Sequence, residues 1–240
     1  MTNVVLSEGL ERIGAWAFHQ CAGLGAVSLP DSVEEVGASA FSASGLREIQ
    51  MGSGLKGIGD YAFAGCGELS AAVLPDGLER IGKRAFGDDA GLTEAVIPDS
   101  VTDLGPEAFS GCTGLTNVVV DGGVTNWCTY PFSGCTNVER VAIGGGLKRV
   151  GCGAFGGCVR LKEVEIGDGI EILTEGAFSG AGIERLVLPD SVKTISNSAF
   201  SGCQDLMEIV WGNGIEEISY GAFSSCTGMT SLEIPDSVTN

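Results

Sequence analysis

The sequence predicts a repeat solenoid, a β-rich stack of about ten units of 22–23 residues, and two observations carry that prediction. Phe recurs at positions 18, 41, 63, 86, 109, 132, 155, 178, 200 and 223, so every interval is 22 or 23 residues. Apolar residues also keep fixed distances from each Phe. Twelve positions before it the column runs Leu6, Leu29, Met51, Leu74, Ile97, Val120, Ile143, Ile166, Leu188, Trp211, and Ala immediately precedes it except at Pro131. A unit this short cannot bury its apolar side alone, so consecutive units must stack around one shared core.

The first element of each unit is a short strand. Val27-Ser28-Leu29 shows the inward, outward, inward alternation of a strand with one buried face, and β-branched residues recur at the inward sites. Pro-Asp-Ser or Pro-Asp-Gly ends the strand at 30–32, 75–77, 98–100, 189–191 and 235–237, where Pro fixes φ and the polar residues favour turns. A second apolar site five residues before Phe, occupied by Ile13, Val36, Ile58, Ile81 and Leu104 in the first coils, marks a short extended piece facing the same core. The remaining segment carries Ala-Phe. It is too short for a long helix and is expected to make a single helical or 3₁₀ turn. With coils roughly 4.8 Å apart, the stack is one elongated domain on the order of 50 Å long. It takes in residues 1–240 without a linker.

The recurring Leu-x-x-Val-x-Leu-Pro-Asp-Ser-Val-x-x-Val/Ile-Gly-x-x-Ala-Phe-x-x-Cys, legible at 24–41 and 92–112, resembles the BspA-type leucine-rich repeat. The resemblance covers essentially the whole chain and implies a right-handed leucine-rich-repeat solenoid. Members are often surface proteins of bacteria and protists that bind host or matrix proteins, so it also implies a cell-surface or extracellular interaction role. One feature departs from the commonest leucine-rich pattern, which places Asn three residues past the last strand Leu. Ser32, Gly77, Ser100, Gly123 and Ser191 stand there, so the Asn ladder is absent.

Seven of the nine cysteines, Cys21, Cys66, Cys112, Cys135, Cys158, Cys203 and Cys226, fall three residues after a Phe, and Asp89 takes that place in one unit. Rungs roughly 4.8 Å apart exceed the ~3.8 Å Cβ separation of a disulfide, so free buried thiols are expected. Cys128 and Cys152 lie outside the column and are the candidates for reactive thiols. There is no Cys-x-x-Cys pair, and the one His, His19, lies beside only Cys21, so no metal or other cofactor is expected.

Thirteen Lys and Arg against 31 Asp and Glu give a net charge of −18. That charge repels nucleic-acid phosphates and anionic lipid headgroups, which argues against both as partners, and no membrane insertion is expected in this segment. No charged and then apolar leader is visible at the N-terminus. Catalysis lacks its parts. His19 reads as an exposed turn residue, and no nucleophile and base are paired by the repeat. Glu8, Asp31, Asp76, Asp99, Asp168, Asp190 and Asp236 recur two positions past the strand. Turn-forming Asp bonded to local backbone explains the column, and a cation-binding edge is the alternative.

A binding surface is expected where stacking leaves side chains outward in an ordered array. The outward strand column contains four successive apolar residues, Val73, Val96, Val119 and Ala142, beside Glu94, Asn117 and Arg140. Such a stripe marks an interaction site for a protein partner. The sixth unit is irregular, with Trp127-Cys128-Thr129-Tyr130-Pro131 in place of the usual Ile-Gly-x-x-Ala, and local repacking is expected there. Trp16, Tyr61, Tyr130 and Tyr220 lie shortly before a Phe in non-adjacent units and make no continuous platform. Neither end resembles a cap, so the chain is expected to be a segment of a longer protein or to meet a neighbouring chain at an open solenoid end. The functional expectation is a non-catalytic protein–protein interaction or adhesion module, with a structural scaffold or spacer as the alternative.

Overall fold

The computed structural model describes residues 4–127 and 129–239. Its strands are two to four residues long, and every pairing among them is parallel. They form two ladders along one stack of coils, each successive coil adding a rung. The first ladder holds the alternating strands. Ala26–Ser28, Glu48–Gln50 and Ala71–Ala72 form one group; Glu94–Ile97, Asn117–Val120, Arg140–Ile143 and Glu163–Ile166 a second; Arg185–Val187 and Glu208–Val210 a third. The second ladder holds the two-residue pieces before Phe. Six of these run from Arg12–Ile13 to Asn126–Trp127, and four from Arg149–Val150 to Glu217–Ile218.

The alternation dictates the core. Val27 and Leu29 are buried while Ser28 is exposed, and Ala95 and Ile97 are buried while Val96 is exposed. The apolar site five before Phe is buried in eight coils and only partly so at Trp127 and Ile218. Phe18 through Phe223 stack face over face, with ring centroids 4.9–5.5 Å apart and planes within 3–15° of parallel. Each ring buries a large apolar area and also gains its neighbour's face.

The segment carrying Phe is a run of turns and not the helical or 3₁₀ turn expected from its length. The cause is backbone handedness. Two positions before Phe, every coil from Trp16 to Gly221 has φ between +46° and +64°; two positions after Phe, every coil from Gln20 to Ser225 has φ between +53° and +75°. A left-handed residue every fourth position prevents a right-handed helix from propagating. The amides turn sideways instead. Trp16, Phe18 and Gln20 donate to the carbonyls of Ala38, Ala40 and Ser42 at 3.0, 2.7 and 2.8 Å, and Ser39, Phe41 and Ala43 repeat the pattern onto Asp60, Ala62 and Ala64. The turn segment is therefore hydrogen-bonded from coil to coil, which satisfies backbone groups that burial would otherwise leave costly.

The irregular sixth unit does repack locally. The second ladder is interrupted between Asn126–Trp127 and Arg149–Val150. The half-buried Trp127 ring meets Phe155 edge-on at 6.4 Å, and only Gly151 leaves room for it, because a Cβ there would lie 2.2 Å from the ring. The Phe stack is undisturbed. Phe109 donates to the Pro131 carbonyl at 2.7 Å, and Phe132 to Ala154 at 3.0 Å.

Candidate interaction surface

The strand ladder brings most of the predicted surface residues together in register. Val96, Val119 and Ala142 are direct Cα partners on neighbouring strands, and so are Glu94, Asn117 and Arg140. Exposure falls along the stripe: Val73 is 79% and Val96 43% exposed, while Val119 and Ala142 are half-buried. The polar column beside it is tied by its own contacts. Asn117 Nδ2 donates to Glu94 Oε1 at 2.6 Å, and Arg140 Nε lies 2.8 Å from Glu163 Oε2. Side chains bonded to one another in this way present a fixed pattern of donors and acceptors to solvent.

Val73 stands apart. No pairing joins Ala71–Ala72 to Glu94–Ile97, so the stripe is broken between its first and second members. A cleft of about 410 Å³ opens at that break, lined by Val73, Leu74 and Val96 and by the acidic residues Asp76, Glu94 and Asp121. Burial, and then neighbouring Asp99, hold the Asp121 carboxyl above the usual range. The sequence reading missed this cleft. Its signal lies in the inward column two residues before the Leu29 position, which reads Val27, Ile49, Ala72, Ala95, Val118, Val141: the two smallest residues are adjacent.

The remaining candidates resolve differently. Two of the turn acids bond to backbone, on the next coil and not locally: Ser53 N donates to Asp31 Oδ1 at 2.8 Å and Asn213 N to Asp190 Oδ1 at 2.9 Å. The Ser53 amide accordingly lowers the Asp31 pKa. Among the described residues, no group of three His, Cys, Asp or Glu is arranged to hold a metal ion. His19 is half-buried, with its ring edge-on to Trp16 at 4.6 Å. Cys128 lies outside the described residues. Cys152 is half-buried, and burial followed by Glu175 raises its pKa, the opposite of what activates a thiolate.

The described cysteines are free thiols, and the column has a regular bonding pattern. Cys66, Cys112, Cys135, Cys158, Cys203 and Cys226 each donate S–H to the carbonyl of the Phe one coil earlier, at 2.9–3.5 Å. Asp89 shares their column, fully buried between Cys66 and Cys112. Its Oδ1 accepts from Cys66 N at 2.7 Å, whereas its Oδ2 has no partner.

Comparison with curated proteins found no match. Among solved structures, a leucine-rich repeat protein from Bacteroides ovatus is 27% identical over 93% of this chain and 70% of its own, with a TM-score of 0.69. The leucine-rich repeat protein of T. pallidum is 36% identical over 65% of this chain and 74% of its own, with a TM-score of 0.59. The BspA-type leucine-rich repeat region, in 6 copies, matches residues 1–116 and 125–240. The stacked Phe rings, the parallel rungs and this match agree, and the chain belongs to the BspA-type leucine-rich repeat family.

Proposed function

We propose that this solenoid is a non-catalytic interaction module that holds a protein partner on the outward face of its strand ladder. The observation that carries the reading is the register of Val96, Val119 and Ala142, an apolar row on a face where solvent favours polar side chains. Val73 extends the row across the break, and the Glu94–Asn117–Arg140 column supplies directional hydrogen bonding beside it. Burying such a row would contribute roughly 25 cal/mol per Å² of apolar surface covered, before the cost of association. Leucine-rich repeat solenoids of this family are typically non-catalytic, which fits a binding role. The family resemblance also supports a position at the cell surface, which surface biotinylation of the native protein would test.

Val119→Arg tests the reading. The outward side chain can change without entering the core, so the fold should persist by circular dichroism while affinity for a partner captured by the wild-type chain falls at least about tenfold. Unchanged affinity for every such partner would remove the strand face as the binding surface and favour a scaffold role through edges or ends.

A further inference from the structure

We infer that the break in the strand ladder between Ala71–Ala72 and Glu94–Ile97 is a recognition cleft for a single Lys or Arg side chain carried by a protein partner. This deepens the strand-face reading and rests on it.

The cleft has a cause in the sequence. Ala72 and Ala95 follow one another in a column where neighbouring coils place Val, Ile or Leu, so two adjacent rungs lack the methyl groups that would draw their strands together. Ala72 is left half-buried although its column points inward. The consequence is electronic as well as steric. Ala71–Ala72 pairs only with Glu48–Gln50, and Glu94–Ile97 only with Asn117–Val120, so the facing edges do not spend their backbone groups on each other.

The lining selects the occupant. Asp76, Glu94 and Asp121 contribute carboxylates that only accept hydrogen bonds, and ammonium and guanidinium groups only donate them. None of the three carboxylates takes part in an ion pair among the described residues, although twelve such pairs bind most of the chain's cations elsewhere. Val73, Leu74 and Val96 form an apolar wall beside them. A long cationic side chain is the ligand with this pair of properties, an alkyl stem to lie on the wall and a charged head to reach the acids. Its charge would also relieve the crowding of Asp121 against Asp99. An anionic or purely apolar side chain would leave the three acids without a cation, with only Glu94 bonded, to Asn117.

The test uses the isotopically labelled full chain and two synthetic peptides that differ only at a central residue, arginine or norleucine, which keeps an unbranched alkyl stem but has no charged head, flanked by leucine and serine. Titration with the arginine peptide should shift the amides of Ala71–Val73 and Glu94–Val96, and the norleucine peptide should bind at least about tenfold more weakly. Asp121→Asn should weaken the arginine peptide and leave the norleucine peptide unchanged. Ala72→Val with Ala95→Val should fill the cleft, keep or raise the melting temperature and abolish the response; if that variant fails to fold, Glu94→Gln with Asp121→Asn replaces it. Equal binding of both peptides, shifts elsewhere on the molecule, or indifference to the cleft variants would overturn the inference. A partner lost with Val119→Arg but indifferent to the cleft variants would overturn the cleft alone and leave the strand-face reading standing.

Discussion

Asp89 is the residue whose chemistry departs furthest from its column. It is fully buried, and the titratable groups facing it are the thiols of Cys66 and Cys112 and the carboxylate of Asp88. Burial pushes its pKa up to about 9, against the Cys66 amide that favours the anion and with Asp88 adding repulsion. The folded chain thus keeps a proton that an unfolded carboxyl, with a pKa of about 3.9, releases. The proton's contribution to stability is complete below about pH 4 and is lost as pH rises towards 9. Asp89→Cys restores the thiol pattern. It should exceed the wild type in stability at pH 8 by several kcal/mol, with the gap closing towards pH 4, as measured by urea unfolding across that range. A second prediction concerns handedness. Ser198 has φ +54°, so Ser198→Gly should stabilise by up to about 1 kcal/mol, whereas Gly157→Ala, at φ +75° with nothing nearer than 3.9 Å to the new Cβ, should destabilise by about 1 kcal/mol. Thermal melts of the two variants would check both signs. Asp89 was visible as an exception in the Cys column, but its missing partner depends on where Phe63, Cys66 and Cys112 lie in space, which spacing alone does not give.

At the scale of elements, what the sequence showed depended on whether side chains or backbone make the element. The strands were legible because their inward and outward chemistry repeats, as at Val27-Ser28-Leu29, and the Phe stack because one residue type recurs at one interval. The turn segment was not. Seven of the ten left-handed residues before Phe are not glycine, among them Trp16, Arg84, Glu107 and Tyr130, so composition gives no warning of positive φ. The coil-to-coil bonds of that segment join main-chain atoms and leave no mark on residue choice. The cleft was half legible: Ala72 and Ala95 are plain in the sequence, but their effect comes from adjacency along the stack. The stack itself yields a prediction. Phe109 has a ring partner on each side at 4.9 and 5.3 Å, so Phe109→Ala should cost about 3–5 kcal/mol, more than the same change at terminal Phe223, by comparison of unfolding midpoints.

For the whole molecule, charge is the dominant imbalance. Among the described residues, twelve ion pairs use most of the cations, yet exposed pairs of this kind contribute little each, and the acids Asp31, Asp76, Asp99, Asp168 and Asp190 on the turn edge take part in none of them. Repulsion among like charges should therefore outweigh attraction. Added sodium chloride should raise the melting temperature, and a fall would show that the surface pairs matter more than the net charge. The coil-by-coil bonding has a mechanical corollary. Among the described residues, the backbone hydrogen bonds and ring contacts of a coil reach only its immediate neighbours, and the contacts that skip a coil are exposed ion pairs such as Arg80–Glu35 and Lys162–Asp205, so tension applied at the two ends meets little remote crosslinking. Coils would peel away singly, each releasing on the order of 70 Å of slack while the rest of the stack stays wound. A tether built this way lengthens in increments under load and rewinds when the load falls.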